Sequence, residues 1–242
     1  MPARVAVLAS GGGTTLQALI DRLNARSGAP ARVHLVIANR PDAGALRRAE
    51  EAGIPTGLVS ARLHGPDAVA GRMQALLAEH AIDLVVLAGY LQLVPREVVL
   101  RYAGRILNIH PALLPAFGGP GMYGIRVHQA VLASGATVSG ATVHLVDEVY
   151  DRGRILAQWP VPVLPGDTPE ALASRVLRVE HLLLPAAVEA LAAGGTGELP
   201  MPHDPLAFEL TPAPAPGPEQ LHHFTAALRR PTDDRRPTTD DS

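Results

Sequence analysis

The 242-residue sequence contains no cysteine and no lysine. Without cysteine, the chain cannot form disulfide bonds, thiolate metal sites or a cysteine nucleophile. All 21 basic residues are therefore arginines, which excludes Schiff-base chemistry and the lysine of a nucleotide-binding P-loop. Histidine, carboxylate, hydroxyl and amide groups remain to carry any chemistry.

Aromatic residues and long apolar runs are also scarce. Aromatics make up 3% of the chain and hydrophobic residues 47%, so the core must consist mainly of Ala, Val, Leu and Ile. No apolar run reaches about 18 residues and no leader precedes the first strand pattern, so we expect neither a membrane span nor a signal peptide. The net charge of -2 argues against general nucleic-acid binding. We expect a cytoplasmic protein, monomeric or homodimeric, whose partners are small-molecule substrates rather than nucleic acid or membranes.

Apolar runs and amphipathic segments alternate along the first part of the chain. Buried strands are predicted at 4–9, 32–38, 82–88 and 105–108, with helices between them. Such alternation indicates βαβ units and an α/β, Rossmann-like fold, in which a doubly wound, mostly parallel sheet has helices on both faces.

The later part of the chain has a different pattern. Residues 137–146 alternate as a strand with one covered face does, and 154–163 predicts its antiparallel partner, so we expect an edge pair near 137–163. A long helix is predicted at 169–193. Nine of the 23 prolines fall from position 200 onward. We therefore expect a single domain over 1–195 and a proline-rich, partly disordered C-terminal extension over 196–242.

The segment L-N-I-H-P-A-L-L-P at 107–115 contains the strongest candidate site. Asn108 and His110 are two residues apart, so on an extended strand their side chains point to the same face, and Pro111 ends that strand. An amide and an imidazole then lie at the carboxyl end of a parallel strand, where open α/β sheets bind ligands. Both groups can hydrogen-bond an oxyanion, which suits acyl chemistry. The alternative is a strand-end turn with two satisfied polar side chains.

A glycine-rich loop, S-G-G-G-T-T at 10–15, joins the first predicted strand to a helix. Gly11, Gly12 and Gly13 let the backbone approach an anion, the amides at the helix start supply donors, and Thr14 and Thr15 add hydroxyls. The loop is neither G-x-G-x-x-G nor a Walker sequence. It predicts a phosphate cradle, and the alternative is a tight turn without a ligand.

Three weaker features lie further along the chain. The glycine-rich segment 116–124 predicts a mobile loop beside the site. His128, on a helix predicted at 126–134, faces either the cleft or solvent. The acidic residues of the loop 147–151 are by default solvated. The histidines are scattered without ligand spacing, so we expect no metal.

Five motifs occur in a characteristic order along the chain. They are S-G-G-G-T-T-L-Q at 10–17, L-A-G-Y at 87–90, L-N-I-H-P-A-L-L-P at 107–115, T-V-H-L-V at 142–146 and D-R-G at 151–153. Together they resemble the phosphoribosylglycinamide formyltransferases, folate-dependent enzymes of purine biosynthesis, over roughly residues 3–193. The N-I-H-P…L-L-P signature is specific to formyl-folate transferases and their deformylase relatives.

The resemblance implies a reaction and a set of site residues. A formyl group passes from the cosubstrate 10-formyltetrahydrofolate to the amine of 5-phosphoribosylglycinamide, directly, through a tetrahedral intermediate. His110 is implied to be the catalytic histidine, Asn108 to bind the formyl oxygen, and Asp151 to keep His110 cationic and carry a proton. The remaining implied contacts are Gly11, Gly12, Gly13, Thr14 and Thr15 for the phosphate, Gly89, Pro111 and Glu180 for the rest of the ribonucleotide, and Leu91, Gln92, Leu93, Val94, Asn108, Val146 and Asp147 for folate.

The sequence departs from the family pattern at several positions. The usual loop is closer to S-G-N-G-S-N, Gln92 stands where an arginine is common, and Arg152 stands where the family usually has a small residue between Asp151 and Gly153. Two alternative functions stay open: a 10-formyltetrahydrofolate deformylase, in which water replaces the amine, and a non-catalytic phosphosugar-binding module.

Overall fold

The computed structural model describes residues 1–195, so the predicted extension over 196–242 lies outside the described residues. Seven strands form one sheet: β1 (Ala3–Ala9), β2 (Ala31–Ala38), β3 (Thr56–Leu58), β4 (Leu84–Leu87), β5 (Ile106–His110), β6 (Val138–Leu145) and β7 (Ile155–Pro162). Seven α-helices accompany them: α1 (Thr14–Leu19), α2 (Gly44–Glu51), α3 (Ala61–His64), α4 (Pro66–Glu79), α5 (Arg96–Arg101), α6 (Ile125–Ala133) and α7 (Pro169–Ala192). A π-helix, Ile20–Asn24, continues α1.

The strand order is β3-β2-β1-β4-β5-β6-β7. The first five strands in this order are parallel, whereas β6 runs antiparallel to both β5 and β7. The chain moves outward from β1 to β3 and then returns to place β4 on the other side of β1. The carboxyl ends of β1 and β4 therefore flank the switch point at which such sheets bind ligands. The α/β fold and the antiparallel edge pair are confirmed.

The core lies on both faces of the sheet. On one face, Leu8 and Leu35 pack with Met73 and Leu77 of α4 and with Val98 of α5. The amphipathic spacing of α4 places these two residues on its buried side. Helix α7 packs against β6, β7, α1 and α6. Strands buried on both faces read as continuous apolar runs, as β1 and β4 do.

Local sequence signals account for the ends of several helices. Thr168 caps α7, since its hydroxyl accepts a hydrogen bond from Ala171 N at 3.2 Å, and Pro169 occupies the first turn where no amide partner is needed. Gly53 has a φ of 66° directly after α2, the left-handed conformation that glycine adopts without strain.

Two expectations need correction. β5 continues to His110 instead of ending at Asn108, because β6 pairs with it as far as the register His110–Thr142. β6 has both faces covered, not one: Ser139, Thr142 and His144 are all buried. The polar positions of β6 therefore face the protein interior. Within residues 1–195, no helix is long and apolar enough to cross a membrane.

Candidate active site

The carboxyl end of β5 presents Asn108 and His110 on one face, as predicted from their spacing. The antiparallel register places His144 of β6 directly opposite Asn108. Asn108 Nδ2 lies 3.1 Å from His144 Nε2, and His144 Nδ1 lies 2.8 Å from the Leu145 carbonyl oxygen. Since a carbonyl can only accept, Nδ1 of His144 carries a proton, and in the neutral ring Nε2 accepts a hydrogen bond from the Asn108 amide.

Asp151 closes this group from the loop that follows β6. Its carboxylate lies between the two histidines: Oδ2 is 3.7 Å from His110 Nδ1, and Oδ1 is 3.5 Å from His144 Nε2. Oδ2 also accepts a hydrogen bond from Gly119 N at 2.9 Å. Asp151 has a φ of 53°, an uncommon conformation for a residue other than glycine, and such outliers concentrate at functional sites. The default expectation that the acids of this loop are solvated is therefore wrong for Asp151.

Burial and hydrogen bonding act in opposite directions on the Asp151 carboxyl. Burial acts to raise its pKa, but the contact with His144, the hydrogen bond from the Gly119 amide and the attraction of His110 in its protonated form outweigh burial and hold the pKa below the ordinary value. Asp151 is consequently a carboxylate at neutral pH.

His110 is almost fully buried, and its Nε2 donates a hydrogen bond to the Phe117 carbonyl oxygen at 2.8 Å. Burial lowers the pKa of His110, and the opposing effects of Asp151 and of the Phe117 hydrogen bond do not restore the ordinary value. Asp151, 3.7 Å away, favours the imidazolium, but in the protein without ligands desolvation outweighs it. That Asp151 keeps His110 cationic during the reaction stays a prediction.

His128 of α6 lies in the wall of the same cleft, so the solvent-facing alternative is wrong. Burial and, to a smaller extent, the nearby His110 together lower the pKa of His128 to about 4. Its Nδ1 is buried without a hydrogen-bond partner among the described residues. His128 therefore remains neutral at neutral pH, with one buried ring nitrogen unpaired among the described residues.

These residues line a cleft of about 840 Å³ at the switch point of the sheet. Most of the predicted binding residues also line it: Thr15, Gly89, Leu91, Gln92, Leu93, Val94, Pro111, Val146, Asp147 and Glu180. Gly11, Gly12, Gly13 and Thr14 do not: the three glycines form the loop before α1, and Thr14 is the first residue of that helix. The glycine-rich segment contributes Gly119 to Gly124 to the cleft wall.

Glu180 reaches the cleft from α7, opposite β5. Burial raises its pKa to about 7. Glu180 therefore exchanges a proton near neutrality, unlike Asp151. Among residues 1–195, no three His, Asp or Glu side chains are grouped to hold a metal ion.

Sequence reasoning missed two residues that organise the site. His144 contacts both Asn108 and Asp151, and Thr142 accepts a hydrogen bond from Leu114 N at 3.0 Å and donates one to Ala112 O at 2.6 Å. Thr142 thereby fixes the turn after His110. The signal was the polar alternation of β6, which has these two residues on the same face of the strand.

Comparison with known proteins places the chain in a family. Residues 3–188 match the formyl transferase family. The chain is 47% identical over 195 residues to phosphoribosylglycinamide formyltransferase from Mycobacterium tuberculosis, covering 80% of this chain and 87% of the relative. It is similar to the crystal structure of phosphoribosylglycinamide formyltransferase from Brucella melitensis, with a TM-score of 0.73, 44% identity and coverage of 80% and 97%. The chain is thus an α/β protein with a histidine–carboxylate cleft, and it belongs to the formyl transferase family.

Two further relatives define the limits of the comparison. The chloroplastic phosphoribosylglycinamide formyltransferase of Arabidopsis thaliana is 46% identical over 190 residues, which is 78% of this chain but only 65% of the relative's length. A formyltetrahydrofolate deformylase from Pseudomonas syringae shares the fold at a TM-score of 0.72 and 27% identity, over 80% of this chain and 62% of that one.

Proposed function

We propose that this protein transfers the formyl group of 10-formyltetrahydrofolate to the amine of 5-phosphoribosylglycinamide, a step of purine biosynthesis. The observation that carries the proposal is the convergence of Asn108, His110 and Asp151 in a single cleft at the sheet's switch point. Relatives named phosphoribosylglycinamide formyltransferase that are 46–47% identical support the choice of substrate.

The residues of the cleft fit a folate. Leu91, Leu93, Val94 and Val146 supply apolar surface for a flat ring, and Gln92 and Asp147 supply polar groups at its edges. When bound, the folate presents a formyl group on a nitrogen that can leave as an amine. The cleft extends past Asn108, so we assign the formyl group to the space between Asn108 and His110.

The ribonucleotide is assigned to the other end of the cleft. Thr15 lines that end, next to the loop of Gly11, Gly12, Gly13 and Thr14, whose amides suit a phosphate. Gly89, Pro111 and Glu180 also line the cleft, and we assign the rest of the ribonucleotide to them.

Asn108 is the first of two groups that stabilise the developing oxyanion. Its Nδ2 has two N–H bonds, and one is directed at His144. The other is left for the formyl oxygen, where a well-placed donor is worth about 3 kcal/mol. His144 thus holds the amide in place before the substrate arrives.

His110 is the second group, and it also moves the proton. It is neutral before reaction, and because its Nε2 donates to Phe117, its Nδ1 is the site that accepts a proton. The attacking amine must lose a proton, and the imidazolium formed on His110 then lies beside the Asp151 carboxylate. This pair stabilises the oxyanion and returns the proton to the leaving nitrogen.

The test is formyl transfer followed by absorbance, with 10-formyl-dideazafolate as donor. Asn108→Ala and His110→Ala should each lower kcat by about 10²-fold or more, because each removes a group aimed at the reacting centre. His34→Ala, a histidine of β2 outside the cleft, is the matched control and should turn over normally. Normal turnover by the His110→Ala variant would refute the assigned role.

The deformylase alternative has support in the fold shared with the Pseudomonas syringae protein. It predicts formate as the product, released whether or not the ribonucleotide is present. Cytoplasmic location stays a prediction, and two plant relatives are chloroplastic.

A further inference from the structure

The glycine loop before α1 is held from outside by α2. Ala45 N donates to the Gly11 carbonyl oxygen at 3.2 Å, and Arg48 Nε donates to the Gly12 carbonyl oxygen at 2.9 Å. The packing is close enough that a Cβ added to Gly13 would lie 2.7 Å from Ala45 Cα. Gly13 also has a φ of 75°, so glycine is required there both for space and for conformation.

The third carbonyl of the loop is engaged by the loop's own helix, since Gln17 N donates to the Gly13 oxygen at 2.9 Å. In a planar trans peptide, the N–H points opposite to the C=O. The amides of Gly12, Gly13 and Thr14 therefore point away from the groups that hold their preceding carbonyls. None of these three amides donates to another group among residues 1–195. Successive amides directed outward form an anion-binding concavity.

Arg48 also makes a second hydrogen bond, to the helix that follows the loop. Its Nη1 donates to Gln17 Oε1 at 3.2 Å, so a single guanidinium connects the loop to the first turns of α1. Among the described residues, no carboxylate forms an ion pair with Arg48. Within residues 1–195 its positive charge is therefore not neutralised by an ion pair, and it lies directly against the loop.

We propose that Arg48 is the positioning residue of the phosphate site: by holding the Gly12 carbonyl and Gln17 it orients the outward amides and adds a positive charge for the substrate's phosphate. This inference rests on the proposed function, because it assigns the phosphate of the ribonucleotide to this loop. Arg48 does not line the cleft, so it serves binding and not the chemical step.

The experiment compares Arg48→Met with Arg47→Met in the full-length protein. Arg47 is the neighbouring cation on α2, exposed and 3.9 Å from Glu51, so its variant removes the same charge without touching the loop. Arg48→Met should raise KM for 5-phosphoribosylglycinamide about tenfold or more, since a charge-assisted hydrogen bond is lost. kcat at saturation and KM for the folate donor should stay within about twofold. Arg47→Met should leave all three constants unchanged, and Arg48→Lys, which keeps the charge, should recover part of the loss.

The dephosphorylated substrate separates positioning from general damage. With ribosylglycinamide in place of the ribonucleotide, wild type and Arg48→Met should have equal kcat/KM, because the phosphate is the group that Arg48 serves. An equal loss with both substrates, or no change in KM, would overturn the inference. A wild-type protein without transfer activity would instead overturn the proposed function itself, so the two failures are distinguishable. Thermal unfolding of each variant checks that it is folded.

Discussion

His144 shows how the local geometry of a single side chain prepares the site. Its Nδ1 donates to the Leu145 carbonyl, so in the neutral ring its Nε2 accepts from the Asn108 amide, and Asp151 Oδ1 lies 3.5 Å from the same nitrogen. His144 is buried and lies next to both Asn108 and Asp151, two groups that the proposed chemistry uses. It acts by fixing their orientation.

Replacing His144 with leucine should therefore impair turnover more than binding. We expect kcat to fall about 10- to 100-fold, because the Asn108 amide loses its acceptor and the formyl oxygen loses a fixed donor. KM values for both substrates should change little. Steady-state kinetics measure this, and His34→Leu on β2 is the control for replacing a strand histidine. An unchanged kcat would show that Asn108 does not depend on His144.

The state of His110 predicts a pH dependence. In the free protein its pKa lies below 6.5, because burial disfavours the imidazolium. Since neutral His110 accepts the proton, kcat/KM should fall as pH drops through that lowered pKa. Asp151→Asn should move the midpoint to still lower pH, since the carboxylate that favours the imidazolium is gone.

Other titrating groups of the cleft also contribute to the dependence of kcat/KM on pH. Glu180 has a pKa of about 7 and lies in the same cleft, so the comparison is best made in Glu180→Gln. His128, at about 4, and Asp151, below its ordinary value, titrate well below this range. A midpoint above 6.5 in the Glu180→Gln protein would contradict the account.

At the scale of single residues, part of the site was predictable from the sequence. The two-residue spacing of Asn108 and His110 determines that they share a face of β5. Asp151 and His144 could be placed only by the fold, since the first depends on a loop conformation and the second on the register between β5 and β6. The lowered pKa of His110 was not predictable either, because the extent of its burial has no sequence signal.

At the scale of elements, the edge pair of β6 and β7 holds the site rigid. Thr142 of β6 fixes the turn after His110, and Gln158 of β7 donates to the Leu114 carbonyl oxygen of that turn at 2.8 Å. Gly140 lets β7 and the Leu113 side chain come close to β6, because a Cβ there would overlap the Trp159 carbonyl and Leu113. Gly140 does not have a positive φ, so glycine is required there for space and not for backbone conformation.

Gly140→Ala should destabilise the protein by about 1–3 kcal/mol, the usual cost of overpacking. The added methyl meets backbone, which cannot move aside without disturbing the β6–β7 pairing. Urea unfolding measures the change. The matched control is Gly71→Ala in the middle of α4, where the added methyl meets open space; that change should be neutral or stabilising by up to about 1 kcal/mol. Equal stabilities of the two variants would show that the close approach at Gly140 does not constrain the fold.

The elements themselves were largely predictable because their patterns are local. Continuous apolar runs indicated β1 and β4, and Pro169 marked the start of α7. The extent of β5 and the burial of both faces of β6 were not predictable, since both follow from the strand and helix that pack beside them. Alternating polar residues usually mark the solvent face of a strand. In β6 the polar residues Thr142 and His144 are buried instead, and they hydrogen-bond to groups of the site.

At the scale of the whole molecule, the topology explains why the site lies where it does. The return of the chain from β3 to β4 opens the sheet between the carboxyl ends of β1 and β4. β6 ends beside Leu107 of β5, and the loop that follows it folds back to bring Asp151 to His110. We propose that residues 1–195 are the catalytic unit, since the family match ends at 188. A chain truncated after Gly195 should then keep the kcat and melting temperature of the full protein, and a loss of either would refute this boundary.

The central claim is that the cleft passes a formyl group to an amine. The most direct measurement follows an isotopically labelled formyl carbon by nuclear magnetic resonance, with and without 5-phosphoribosylglycinamide. If the cleft transfers a formyl group, the label appears in the formamide of the ribonucleotide. This requires the ribonucleotide to be present, and the His110→Ala protein should not do it. Label released as formate regardless of the ribonucleotide would identify a deformylase. Ligand binding without any movement of the label would identify a binding module, and either result would contradict the account.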